Sequence, residues 1–261
     1  MLNRAQYLTL FAALFLFLAL YLGFSTTPSG QKIVERSRAL QGESTGFEQI
    51  QKDARAHLNT AQITALDALE QELTAAGSDA DQIAVLKKIS GWWYQQGQMP
   101  VAGGVAEQVA ELENTDTAWS VAGATFYNAL RGEQNAVLRT FCGDHAIKAF
   151  ESAISLNPEQ VEHRVNLALT YAENPPKDNP MKAVLLLREL ESKYPENAAV
   201  YNALGRLAIK TGQWERAIQR LEKAMALDPG NPNTPCLLAR AYEETGNKAL
   251  AATYSARCQT Q

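Results

Sequence analysis

Arg206 and Arg240 are the side chains with the most chemistry to offer, and they stand 34 residues apart. A guanidinium is a planar fork of donors that keeps its charge at any ordinary pH. Two of them held side by side could grip a carboxylate or an acidic side chain bidentately. The competing account makes both solvated helix residues, balanced by acids such as Glu243 and Glu244. Other reactive types are sparse. His57, His145 and His163 lie far apart with no acid or metal partner at a recognisable spacing, and they read as surface or helix-end residues. Cys142, Cys236 and Cys258 are odd in number and lack metal-ligand spacing, so they neither demand nor exclude an oxidising compartment. The run Cys142–His145 has no second half and reads as the start of a helix. There is no His-Glu-x-x-His, Gly-x-Ser-x-Gly or Cys-x-x-Cys. Gly103 and Gly104 are not followed by Gly-Lys-Ser/Thr, so close approach of a neighbouring helix is a better reason for them than a phosphate loop. The chain is expected to be no enzyme and to use no cofactor and no metal. An enzyme with a dispersed site is a distant rival.

The elements that must position the arginines come next. The chain has 261 residues and a net charge of -4, with acids and bases interleaved, which argues against a nucleic-acid surface. Tyr7 to Phe24 is apolar except for Thr9, and at about 1.5 Å per residue it spans roughly 27 Å, the thickness of a bilayer core. The following Ser25–Gly30 stretch has no Ala-x-Ala pattern, which favours an uncleaved anchor over a signal peptide. Residues 1–24 are therefore expected to form a tail and single transmembrane helix, touching the membrane through residues 7–24. Lys32, Arg36 and Arg38 would hold the bulk of the chain in the cytoplasm, whereas the short basic tail at Arg4 resembles a secretory signal. The balance leans to the periplasmic side.

Residues 25–44, with Pro28 and Gly30, read as a linker. Over 45–80, Phe47, Ile50, Ala54 and Leu58, then Ile63, Leu66, Leu69 and Leu73, recur at helical spacing and predict a capping pair of helices. Beyond it no run alternates with period two. The fold class is all-α.

From Tyr201 the spacing becomes regular: Leu204, Gly205, Ala208, Gly212, Trp214, Ala217, Leu221, Ala224 and Pro229. Small residues at Gly205, Ala217 and Ala224 let two helices approach, larger ones fill the space beside them, Gly212 turns the chain and Pro229 stops it. Pro235, Leu238, Ala239, Tyr242, Gly246, Ala251 and Cys258 follow 34 residues later, and Leu167, Ala168, Tyr171, Ala183, Leu190 and Pro195 precede. The pattern resembles the tetratricopeptide repeat. Pro158, Pro195 and Pro229 mark three successive unit ends. Five units are expected, over 81–115, 116–158, 159–197, 198–231 and 232–261. About eleven extra residues within 128–143 separate the helices of the second, and the third has a lengthened inner loop at 173–181.

The resemblance implies a right-handed α-solenoid following the anchor. In this family the first helix of each unit lines a concave groove that takes extended peptides or partner helices. The residues so placed are Lys87, Tyr94, Tyr127, Asn128, Val165, Leu169, Asn202, Arg206, Lys210 and Arg240. Of Trp92, Trp93 and Tyr94, only Tyr94 is expected to face it. Val165, Leu169, Asn202 and Arg206 depart from the Lys and Asn set of the family's clamp for chaperone C-termini, so that activity is not carried over. The expected function is a membrane-anchored scaffold, similar to bacterial single-anchor repeat proteins, with a protein or peptide partner bearing an acidic group near Arg206 and Arg240 and no nucleic acid. The alternative is a structural subunit that makes its contacts through the convex face and the 128–143 insertion.

Overall fold

The computed structural model describes residues 46–259, and all regular structure among them is helical. The expected anchor over 7–24 and the linker over 25–44 lie outside the described residues. Among the described residues no helix is long and apolar enough to cross a membrane. The chain divides into two compact units, 1–56 and 57–261. The first contributes one described helix, α1 over 46–56, so the pair expected over 45–80 is shared between the two units.

The second unit holds eleven described helices: α2 Thr60–Ala75, α3 Asp79–Gln95, α4 Met99–Glu113, α5 Asp116–Gly132, α6 Ala136–Leu156, α7 Val161–Glu173, α8 Lys182–Lys193, α9 Ala198–Lys210, α10 Trp214–Leu227, α11 Asn233–Glu244 and α12 Lys248–Gln259. Side-chain caps set several starts. Asn59 and Gln62 form a capping box at α2, and Ser78, Thr115 and Asn197 accept the third backbone N–H of α3, α5 and α9. Glycine sets three ends. Gly97, Gly212 and Gly246 adopt φ of 75°, 69° and 78° just past α3, α9 and α11. The next residue's N–H then bonds back across the turn, as Gln213 does to the Ala208 carbonyl at 2.8 Å. Pro158, Pro195 and Pro229 each follow shortly after α6, α8 and α10, where a missing N–H cannot continue a helix.

From α2 onward consecutive helices pack on each other, and α5, α7, α9 and α11 also touch the next but one. That second set of contacts turns separate hairpins into a stack, with a row of first helices along one side. The cores bridge hairpins accordingly. Val161, Val165 and Leu169 of α7 pack with Val200, Tyr201 and Leu204 of α9, while Phe126 of α5 and Phe150 of α6 pack with Leu167 and Tyr171 of α7. Close approach rests on glycines. A Cβ on Gly205 would lie 2.5 Å from Leu221 Cγ, and one on Gly123 would lie 2.8 Å from the Phe150 ring. Gly103 faces the Phe126 ring of α5 in the same way, so a neighbouring helix does explain it.

Two expectations are corrected. The insertion over 128–143 does not separate two helices as a loop but lengthens both, giving α5 17 residues and α6 21. The cause is local: Asn135 accepts from the N–H groups of Val137 and Leu138, and Arg139 Nη1 donates to the Leu130 and Glu133 carbonyls, closing α5. Cys142–His145 therefore sits inside α6 rather than at a helix start, with Cys142 buried. Among the described residues no His, Cys, Asp and Glu group could hold a metal.

Two histidines, moreover, have acid partners. His145 Nδ1 lies 2.6 Å from Glu107 Oε2 of α4, with Lys148 Nζ 3.1 Å from the other oxygen. His163 Nε2 lies 3.1 Å from Asp116 Oδ2, which also accepts from the Asn157 amide. Burial alone would raise the Glu107 carboxyl, but the bond and charge of His145 and the charge of Lys148 outweigh it and hold the group below its usual range. Asp116 is held low chiefly by its bond to His163 and then by Asn157.

Gly205→Val should lower the unfolding free energy by about 1–3 kcal/mol, because Leu221 leaves no room for the new methyls. Gly91→Ala is the contrast: nothing lies within 4 Å, and the helix interior should gain about 0.5–1 kcal/mol. Urea denaturation measures both. Because the folded pKa values of Glu107 and Asp116 are depressed, the stability they add is present above the unfolded carboxylate value of about 4. It is lost as pH falls through that value towards the folded ones. Glu107→Gln removes one such contribution, so between about pH 5 and pH 3 the wild type should lose stability more steeply than the variant. Parallel curves in urea titrations at each pH would contradict this.

Candidate functional site: a basic pocket across four first helices

Four first helices converge on a pocket of about 350 Å³. Tyr127 and Arg131 come from α5, Leu169 and Glu173 from α7, Arg206 and Lys210 from α9, and Leu237 and Arg240 from α11. The helical rise explains the convergence. Residues on the same turn of stacked helices fall on one surface, and Leu169, Ile209 and Leu237 supply its apolar floor.

The polar groups are arranged around Tyr127. Arg206 Nη2 donates to the Tyr127 hydroxyl at 2.8 Å, and the guanidiniums of Arg206 and Arg131 lie 5.9 and 5.8 Å from the ring centre. Burial lifts the Tyr127 phenol above its usual range, more than the two guanidiniums lower it. The hydroxyl thus stays neutral, and while its oxygen accepts from Arg206 its own proton is available to a guest. Lys210 Nζ is already engaged, donating to the Ala172 carbonyl at 2.6 Å and the Glu173 carboxylate at 2.7 Å, which closes α7. Among the described residues Glu173 is the only acid lining the pocket, so Arg131, Arg206, Lys210 and Arg240 leave it with an excess of three positive charges. No ion pair joins Glu243 or Glu244 to either arginine among the described residues.

Of the residues chosen from sequence, Tyr127, Leu169, Arg206, Lys210 and Arg240 meet here. Lys87 and Tyr94 line a second pocket of about 350 Å³ between α3, α4 and α5, where Lys87 pairs with Glu113 and Tyr94 is 46% exposed beside Val121. Trp93 is fully buried, edge-on to Trp92. Asn128 is exposed but lines neither pocket. Val165 is 4% exposed within the core between α7 and α9, so it presents no surface to a guest. Asn202 spends its amide on Thr234 Oγ1, 2.6 Å away, and ties α9 to α11. Sequence reasoning missed Arg131 and Glu173. The signal for Arg131 was present in the extra length of α5, which carries its last turn into the pocket.

Models of the tetratricopeptide repeat match residues 177–232 and 212–254. No curated protein matches the chain. Among solved structures, a thermophilic tetratricopeptide-repeat protein of Thermus thermophilus aligns over 69% of this chain and 91% of its own, with TM-score 0.52 and 17% identity. A tetratricopeptide-repeat protein from Parabacteroides merdae aligns over 83% of this chain and 80% of its own, with TM-score 0.50 and 14% identity. These likenesses concern the fold alone. Taken with the stacked hairpins, the matches establish that the chain carries tetratricopeptide repeats over residues 177–254.

Proposed function

We propose that the chain is a membrane-anchored scaffold whose stacked first helices take an acidic segment of a partner protein, with the array on the periplasmic side of a bacterial inner membrane. Repeats of this kind typically serve as protein-interaction scaffolds, and the observation that carries the rest is the Tyr127 pocket. It gathers an excess of three positive charges on a chain whose net charge is -4. Arg240 is exposed and has no hydrogen bond or ion pair among the described residues, while Arg206 is aimed by its bond to Tyr127. A carboxylate between them would accept from both guanidiniums and from the phenol, over an apolar floor that favours a neighbouring aliphatic side chain. The apolar stretch over 7–24 supports the anchor.

A second reading, a convex-face subunit of a fixed complex, draws on α8 and the residue that precedes it, where Leu185 and Met181 are 57% and 56% exposed.

A fluorescent peptide rich in Asp and Glu separates the two by anisotropy. The scaffold reading expects binding that weakens with salt and falls at least about tenfold in an Arg206→Ala, Arg240→Ala double variant, while Leu185→Asp leaves it unchanged. Equal binding by the double variant, or sensitivity to Leu185→Asp alone, would overturn it.

A further inference from the structure

The end of the array is held differently from the rest. Every helix from α2 to α11 buries at least one side chain, whereas α12 has none among its described residues. Its contacts with the array include Ala251, Tyr254 stacked on Tyr242 with centroids 5.7 Å apart, Arg257 Nη2 3.4 Å from Met225 Sδ of α10, and a disulfide between Cys236 and Cys258. Leu250 remains 37% exposed. A helix of 12 residues is marginal when little apolar surface is covered. The bridge joins positions 22 residues apart, and closing such a loop removes much of the freedom of a detached helix.

The third cysteine cannot substitute. Cys142 is fully buried in α6, and burial, with the nearby Glu133 charge, pushes its thiol up to about 12. It is therefore a packed apolar group with little thiolate to offer. Cys236 and Cys258 are both partly exposed, open to a small protein oxidant.

We propose that oxidation of Cys236 and Cys258 is what fixes α12 on the array, and that the array works in an oxidising compartment. The two thiols lose two protons and two electrons as the S–S bond forms. The electrons pass by exchange to an external thiol–disulfide oxidant, whose own disulfide becomes a dithiol. In a glutathione-reduced cytosol the pair would stay as thiols, α12 would detach and the Tyr242 ring would lose its cover. This goes beyond the acidic-groove reading and stands whether or not that reading holds.

The test uses the full chain. Thiols are trapped with a membrane-permeant maleimide in intact cells, the chain is then denatured with the maleimide still in excess so that buried Cys142 also reacts, and labels are counted by mass before and after reductant. The expected result is one reactive thiol, Cys142, before reductant and three after. Limited trypsin digestion in detergent then follows cleavage at Lys248 and Arg257. Reductant should speed cutting there by at least about tenfold while sites in α9 and α10 are unaffected. A Cys236→Ser, Cys258→Ser variant should behave as the reduced wild type with or without reductant. Three reactive thiols in the trapped sample would overturn the proposal outright. A bridge whose reduction leaves cleavage of α12 unchanged would overturn its holding role, and that outcome needs no variant to fold.

Discussion

A two-helix hairpin of this size cannot hide its own apolar face, and this single shortage organises the rest. The chain answers it by setting small residues where helices cross. Gly205 admits Leu221 and Gly123 admits Phe150 at distances no Cβ would tolerate, so the helices of a hairpin come close enough for their outer faces to be shared with the next. The cores confirm the sharing. The residues around Val165 and Tyr201 belong to two hairpins at once, and those around Phe126 and Tyr171 do as well. Hydrophobic burial of about 25 cal/mol per Å² accrues at these shared faces as well as within each hairpin, which makes neighbours mutually dependent.

The same stacking manufactures a surface that no single hairpin has. Tyr127, Glu173, Arg206 and Arg240 come from four different helices and are brought to one pocket because those helices run side by side. Polar ties keep the register. Lys210 closes α7 from α9, Asn202 reaches Thr234 of α11, and Arg206 crosses to Tyr127 of α5. Each costs side-chain entropy; the Lys210 and Asn202 ties offset it by holding neighbouring helices together, and the Arg206 bond also fixes the direction of a guanidinium in the pocket.

Much of this is legible in the residues themselves. Gly97, Gly212 and Gly246 turn where a positive φ is needed, and prolines follow three second helices, because backbone rules act locally. Arg206 and Arg240 could be paired from their repeat spacing alone. What escapes the sequence is whatever depends on neighbours across hairpins. His145 meets an acid 38 residues away and His163 one 47 away, intervals that no motif encodes. Val165 has the right spacing for the groove but lies on the strip that α9 covers. The residues over 128–143 look like an interruption, since their count exceeds the repeat, yet Asn135 and Arg139 supply the caps that let two long helices absorb them. Cys236 and Cys258 become partners only once α11 and α12 fold back on each other.

Hydrogen exchange of the full chain with and without an Asp- and Glu-rich peptide tests the central claim most directly. Stacked first helices that jointly form the guest site should show added protection at the C-terminal turns of α5, α7, α9 and α11 together, with α8 and α10 unchanged. Protection confined to α8 and α10, or to one hairpin with its neighbours untouched, would contradict it.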